Sequence, residues 1–192
     1  MMTTCANTDP KFTIGLIFDP LRRTDPGMTM ITTRIASKID APQISRMLKG
    51  LAGHLGFGDA FVSDPQTILQ HGFGDRVLFH CVIAEHESDA IGLALFFPYF
   101  STYRGQPGAY VQDLWVDPKI RGQSVGQQLL AHVADFSARS WQSNYIALAV
   151  HVDNHDATRF YERLGFCENR TDRPFFVEDV AFNRLRSLFD RG

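Results

Sequence analysis

Residues able to do chemistry concentrate between Gln112 and Arg139, in the stretch QDLWVDPKIRGQSVGQQLLAHVADFSAR. Arg121, Gly122, Gln123, Ser124, Val125, Gly126 and Gln127 form a basic, glycine-bearing loop that leads into the start of a helix. Such a junction suits an anion, because the first amides of a helix have no acceptor within it and the macrodipole places partial positive charge there. Gly122 and Gly126 lack a β-carbon, so a phosphate can approach the backbone closely. Arg121 adds a planar set of donors matched to phosphate oxygens. A plainer reading stands beside this one: the glycines make a tight turn and Arg121 is solvated, since short glycine motifs arise by chance.

Other polar residues weigh less. His151, Asp153 and His155 have an H-x-D-x-H spacing, a weak metal pattern. The favoured reading is ordinary polar residues at the mouth of a cleft, and no metal is expected. His80 and His132 stand in apolar surroundings and read as packed or hydrogen-bonded, and Cys81 reads as a buried thiol within a strand.

The elements that must position the loop follow from local patterning. Gln112 to Val116 alternates as a strand, with Leu114 and Val116 on one side and Trp115 between them. Asp117-Pro118 stops it, because proline cannot donate to a ladder. The helix after the loop carries Val125, Leu129, Leu130, Val133 and Phe136 on one face. Upstream, Met28 to Ala36 alternates as a strand, and Asp40 is placed to cap a helix beginning Ala41-Pro42. Asp64-Pro65 opens a second helix. Arg76 to Glu85 and Ile91 to Phe100 read as an antiparallel hairpin, followed by an irregular loop from Ser101 to Gly108. Asn144 to Val152 reads as a strand, Ala157 to Leu164 as a helix ended by Gly165, and Phe175 to Phe182 as a last strand. Strands interleaved with helices imply a mixed α/β sheet with helices on both faces. The strand from Asn144 should run parallel to that ending at Val116, because a helix joins them.

At this point two stretches resemble the cofactor elements of the GNAT N-acetyltransferases. Arg121 to Gly126 is similar to the pyrophosphate loop [Q/R]-x-x-G-x-[G/A], with Ser124 where the family usually has its middle glycine. Asn154 to Phe166 resembles N-x-x-A-x-x-F-Y-x-x-x-G-F, matching at Asn154, Ala157, Phe160, Tyr161, Gly165 and Phe166. Further features resemble the spermidine/spermine (diamine) acetyltransferase branch: Pro98-Tyr99-Phe100, the Ser-Thr-Tyr-Arg-Gly loop, and Asp113 two residues before Trp115. That branch normally has an acidic residue where Gln112 stands.

The resemblance implies a GNAT-like fold: a twisted, mostly antiparallel sheet with one splayed parallel strand pair. It implies acetyl-CoA as cosubstrate, with the pantetheine arm along Leu114, Trp115 and Val116. The pyrophosphate would lie on amides from Gly122 to Gln127, and Asn154 would contact the cosubstrate from the opposite side. It implies direct transfer of acetyl to a primary amine, with Tyr161 as general acid to the departing thiolate. Asp113 would either orient the amine or a proton-accepting water, or serve as a structural carboxylate. It further implies a homodimer.

Bulk properties frame these expectations. The 192 residues carry a net charge of -2 and 44% hydrophobic residues, ordinary for one soluble domain. We expect an extension over residues 1–27 and a single catalytic domain over 28–192. The acidic balance argues against a nucleic-acid partner, no apolar run has membrane-spanning length, and no signal peptide is seen. Three widely spaced cysteines suggest no disulfide framework and a cytoplasmic setting. The competing function is a non-catalytic acyl-CoA-binding regulatory module, which would have no use for a thiol-side acid such as Tyr161.

Overall fold

The structure is a computed structural model that describes residues 30–169, 177–186 and 188. The expected N-terminal extension over 1–27 lies outside the described residues. Two compact units divide the chain, one ending at Asn154 and the other beginning at His155.

The first unit is built on one sheet of five strands in sequence order: β1 (Thr32–Ile35), β2 (His80–His86), β3 (Asp89–Ser101), β4 (Gln106–Val116) and β5 (Ile146–Leu148). The first four pair antiparallel, and β4 pairs with β5 in parallel. Helix α3 (Val125–Trp141) makes the crossover that a parallel pair needs.

Helices α1 (Ala41–His54) and α2 (Pro65–Phe73) pack on one sheet face, where Ile44, Met47, Leu48 and Ile68 join Cys81, Ile83, Leu93 and Leu95 in a single buried cluster. The other face belongs to α3. A β-carbon built on Gly92 would point at Leu129 and Val125, 3.3 and 3.5 Å away. His80 and Phe96 meet Phe136 and Trp141 there with ring centroids 5.1 to 5.8 Å apart. Side chains on successive strand positions point to opposite faces, so the sheet is apolar on both sides in its centre.

Several expectations are corrected. Asp40 does not cap α1 with its side chain. Its carboxylate instead accepts from the Ser37 amide at 2.7 Å and from both terminal nitrogens of Arg34 at 2.8 Å. Arg34 also holds Glu85 at 2.7 Å, which ties β1, β2 and the approach to α1 together. The Arg34 guanidinium holds the buried Asp40 carboxyl at about 2. The expected irregular loop from Ser101 to Gly108 is a turn over 102–105, shorter than expected because β3 runs to Ser101 and β4 already begins at Gln106. Pro98 is tolerated inside β3 for a geometric reason. The Ala109 amide opposite it bonds Tyr145 on the β5 side. The Pro98 position therefore calls for no ladder donor toward β4.

β5 is shorter than the expected Asn144–Val152, and β2 starts at His80 rather than Arg76. Of the expected last strand, 175–176 lie outside the described residues, while α5 (Asp179–Arg186) is helical. Val177, Ala181, Leu185 and Leu188 recur at helical spacing, a longer period than the short alternation that suggested a strand. Cys81 is free and buried.

Candidate functional site

Pairing between β4 and β5 covers Ala109, Tyr110 and Val111 and stops. From Gln112 to Val116, β4 has β3 on one side and no strand on the other among the described residues. A bulge sits at the parting point: Leu95 faces Asp113 and Phe96 faces Val111, so Gln112 is the extra residue. Bulges bend a strand and raise its twist, which turns the end of β4 away from β5.

Backbone direction along this open edge follows from one bond. The Asp117 amide donates to the Ile91 carbonyl at 2.8 Å. Antiparallel bonding alternates, so Trp115 and Asp113 direct their backbone groups to β3, while Leu114 and Val116 direct theirs to the open side. Arg121 agrees with this, its Nε donating to the Val116 carbonyl at 3.2 Å. Of the three residues expected along the pantetheine arm, Leu114 and Val116 thus present polar backbone to the opening. Trp115 instead anchors the strand, its ring so close to α1 that a β-carbon on Gly50 would lie 3.3 Å from it.

Beside this edge α3 begins. The Gln128 amide makes the first helical bond, to the Ser124 carbonyl at 3.0 Å. The amides of Val125, Gly126 and Gln127 therefore have no acceptor within the helix, and Ser124 makes no side-chain capping bond. Ser124 lies in the left-handed region at φ 61° and ψ 13°, which costs a residue with a β-carbon about 1 kcal/mol. That strain gives a physical reason for the glycine found here in the motif it resembles. Gly122, at φ 84°, has open space where a β-carbon would stand, so conformation rather than crowding calls for glycine. Arg121, Gly122, Gln123 and Ser124 are exposed, and buried Val125 roots the helix in the core. An exposed strand edge, three unmet amides and a guanidinium can together hold an extended amide-bearing chain that ends in phosphates.

Asp113 lies on the α1 side of the sheet, paired with Leu95, which is itself paired with Cys81. Burial pushes the Asp113 carboxyl above the ordinary range, and burial together with Asp113 and Asp40 pushes the Cys81 thiol far up. The expected packing roles of two histidines agree with the structure: His80 sits in the aromatic cluster, and His132 Nδ1 lies 3.0 Å from Thr33 Oγ1, linking α3 to β1. Among the described residues no group of three His, Cys, Asp or Glu is arranged to hold a metal. His151 Nδ1 lies 3.7 Å from the Asp153 carboxylate, both exposed. Asn154 ends the unit, its amide donating to the His151 carbonyl at 2.8 Å.

Tyr161 belongs to the other unit, on α4 (His155–Arg163). The Phe166 amide bonds the Tyr161 carbonyl and the Gly165 amide bonds the Glu162 carbonyl, each at 3.0 Å. Gly165 stands at φ 88°, and the Tyr161 and Phe166 rings meet at 5.4 Å. This is a Schellman helix end with its hydrophobic contact. It accounts for the spacing of Tyr161, Gly165 and Phe166 without using the tyrosine hydroxyl. Burial raises that hydroxyl to about 12.

The bulge at Gln112 was missed by sequence reasoning, and so was a row of aromatic rings at the outer end of the β3–β4 hairpin. The pairing of Gly108 with a tyrosine 37 positions on leaves no local signal, although Pro-Tyr-Phe followed by a glycine-rich turn could have drawn notice.

Residues 55–166 match the acetyltransferase (GNAT) family. A thialysine N-epsilon-acetyltransferase from Sus scrofa is 30% identical over 146 residues, covering 72% of this chain and 85% of that protein. A spermidine/spermine N(1)-acetyltransferase-like protein from Homo sapiens is 26% identical over 84% of this chain and 24% of its own length. An aminoglycoside N-acetyltransferase solved in complex with CoA shares the fold with a TM-score of 0.63 at 23% identity, over 81% of this chain and 98% of that one.

Proposed function

The chain belongs to the GNAT acetyltransferase family and is an N-acetyltransferase; from that premise we propose that it moves acetyl directly from acetyl-CoA to a primary amine of a small molecule or protein. The observation that carries this reading is the open edge of β4 running into an uncapped helix start. Leu114 and Val116 hold the pantetheine arm by strand-like backbone bonds, and Trp115 keeps the strand in place. Amides from Gly122 to Gln127, with the side chain of Arg121, take the diphosphate. Asn154 contacts the cosubstrate from the far side of the opening. When bound, acetyl-CoA supplies the acetyl group as a thioester and departs as the thiol.

The remaining steps belong to side chains. An incoming ammonium must lose a proton before it can attack. Asp113 is the base in this reading, directly or through water; its burial favours accepting a proton. The backbone amide of Leu114 or Val116, facing the opening, donates to the carbonyl oxygen as charge builds there. Tyr161 gives its hydroxyl proton to the departing sulfur, and burial keeps that hydroxyl protonated across neutral pH. Support for Tyr161 comes from its place in the second motif.

Homodimer assembly is proposed on the resembling branch, and gel filtration tests it. Cytoplasmic placement is proposed on the composition; cell fractionation decides. Calorimetric titration with acetyl-CoA and a thiol-release assay over an amine panel test the central reading. Tyr161→Phe should lower kcat about a hundredfold with acetyl-CoA affinity kept. An equal loss of affinity, or no loss of rate, removes Tyr161 from the chemistry. Because the Asp113 carboxyl is raised, kcat/KM should fall as pH drops through its titration, and Asp113→Asn should abolish that limb.

A further inference from the structure

The sheet face that carries Asp113 continues outward along the β3–β4 hairpin as a floor of aromatic rings. Leu95, Phe97 and Tyr99 share that face by strand alternation, and they stand opposite Asp113, Tyr110 and Gly108. Phe97 and Tyr110 stack at 5.3 Å, Tyr99 meets Tyr110 at 5.9 Å, and Tyr99 meets Tyr145 at 6.4 Å. The Tyr145 hydroxyl donates to the Tyr99 carbonyl at 3.0 Å. Its ring fits only because residue 108 is glycine, since a β-carbon there would come within 2.3 Å of it. A cluster serving only as core would be sealed. Here Tyr99 is 46% exposed, and Phe97, Tyr110 and Tyr145 are partly open as well.

The two ends of this floor carry opposite charge. At the inner end stands the Asp113 carboxylate, partly buried. At the outer end the exposed Arg104 guanidinium lies 5.1 Å over the Tyr145 ring, and among the described residues it has no ion-pair partner. From the Leu95 level to the Tyr99 level is about 13 Å along the strand. A chain with about five or six carbons between two charged groups fits within that length.

We propose that this strip is the acceptor subsite and that it selects an ω-amino carboxylate. The ammonium lies toward Asp113, the methylenes lie over Phe97 and Tyr110, and the carboxylate pairs with Arg104. The inference rests on the reading that the chain acetylates amines, and it adds which amines. Arg104 is the specificity-determining residue: a guanidinium matches a carboxylate with two parallel donors and repels a second ammonium.

Three acceptors of equal length separate the possibilities: 6-aminohexanoate, hexylamine and 1,6-diaminohexane. The purified full chain should show kcat/KM for 6-aminohexanoate about tenfold above hexylamine, with the diamine lowest. Arg104→Ala should collapse the ratio of 6-aminohexanoate to hexylamine to about one, and Arg104→Lys should restore part of it. A diamine that is the best substrate overturns the proposal, as does an Arg104→Ala variant that lowers all three rates alike. If no amine is turned over while acetyl-CoA binds, the catalytic reading falls, and calorimetric binding of 6-aminohexanoate against hexylamine to the acetyl-CoA complex then decides the subsite. Equal affinity for the two, or a preference that survives Arg104→Ala, overturns it.

Discussion

Asp64 closes the start of α2, whereas the start of α3 is left open. At α2 the Asp64 carboxylate accepts from the Thr67 amide at 2.7 Å and from its hydroxyl at 2.8 Å, with Pro65 at the first helical position. Those bonds hold the carboxyl below its usual range. Residue 124 occupies the equivalent place at α3, in a left-handed conformation and without a capping bond. The chain can satisfy a helix end with four consecutive residues, as Asp64-Pro65-Gln66-Thr67 does. At α3 that local solution is withheld, and strain is accepted in its place. An unmet helix start beside an exposed guanidinium has capacity for an anion; a closed one has none.

Exchanging the two designs should separate stability from ligand affinity. The largest effect is expected from Ser124→Asp, which sets a carboxylate where phosphate would lie. Acetyl-CoA affinity should drop about a hundredfold, or ~2.7 kcal/mol, while Tm holds; calorimetry showing a change under threefold would break the comparison. Arg121→Ala should weaken the same binding about tenfold, with the difference from wild type shrinking as salt rises. Asp64→Ala should do the opposite, lowering Tm by a few degrees and leaving acetyl-CoA affinity alone. The smallest effect is Ser124→Gly. Relief of the left-handed strain, less the added freedom of unfolded glycine, should stabilise the chain by about 0.5 kcal/mol in urea unfolding.

Much of this was legible residue by residue. The periodic apolar positions of α1, α2 and α3, the prolines at helix starts and Gly165 at the end of α4 are all local signals, because a helix satisfies its bonds within a few residues. The loop from Arg121 to Gly126 was legible for the same reason. Asp40 stands at the N-cap position of α1 as read, but its side chain was misread as the capping group because its strongest partner, Arg34, lies across a turn and also reaches β2. The described part of Phe175 to Phe182 was misread because a short alternation mimics part of a helical repeat. Trp115 was placed with Leu114 and Val116 because only the β3 register tells which backbone groups face outward.

By itself, the sequence determined where α1 to α4 lie, that a basic glycine-bearing loop runs into the start of α3, and where tyrosine, carboxylate and guanidinium stand along the chain. Tertiary structure alone decided that β4 parts from β5 at Val111, that Asp113 and Tyr110 share one face, and that Arg104 lies over the Tyr145 ring. The reason is physical: helical bonds close within four residues, whereas a sheet's open edges and shared faces depend on the register between segments tens of residues apart.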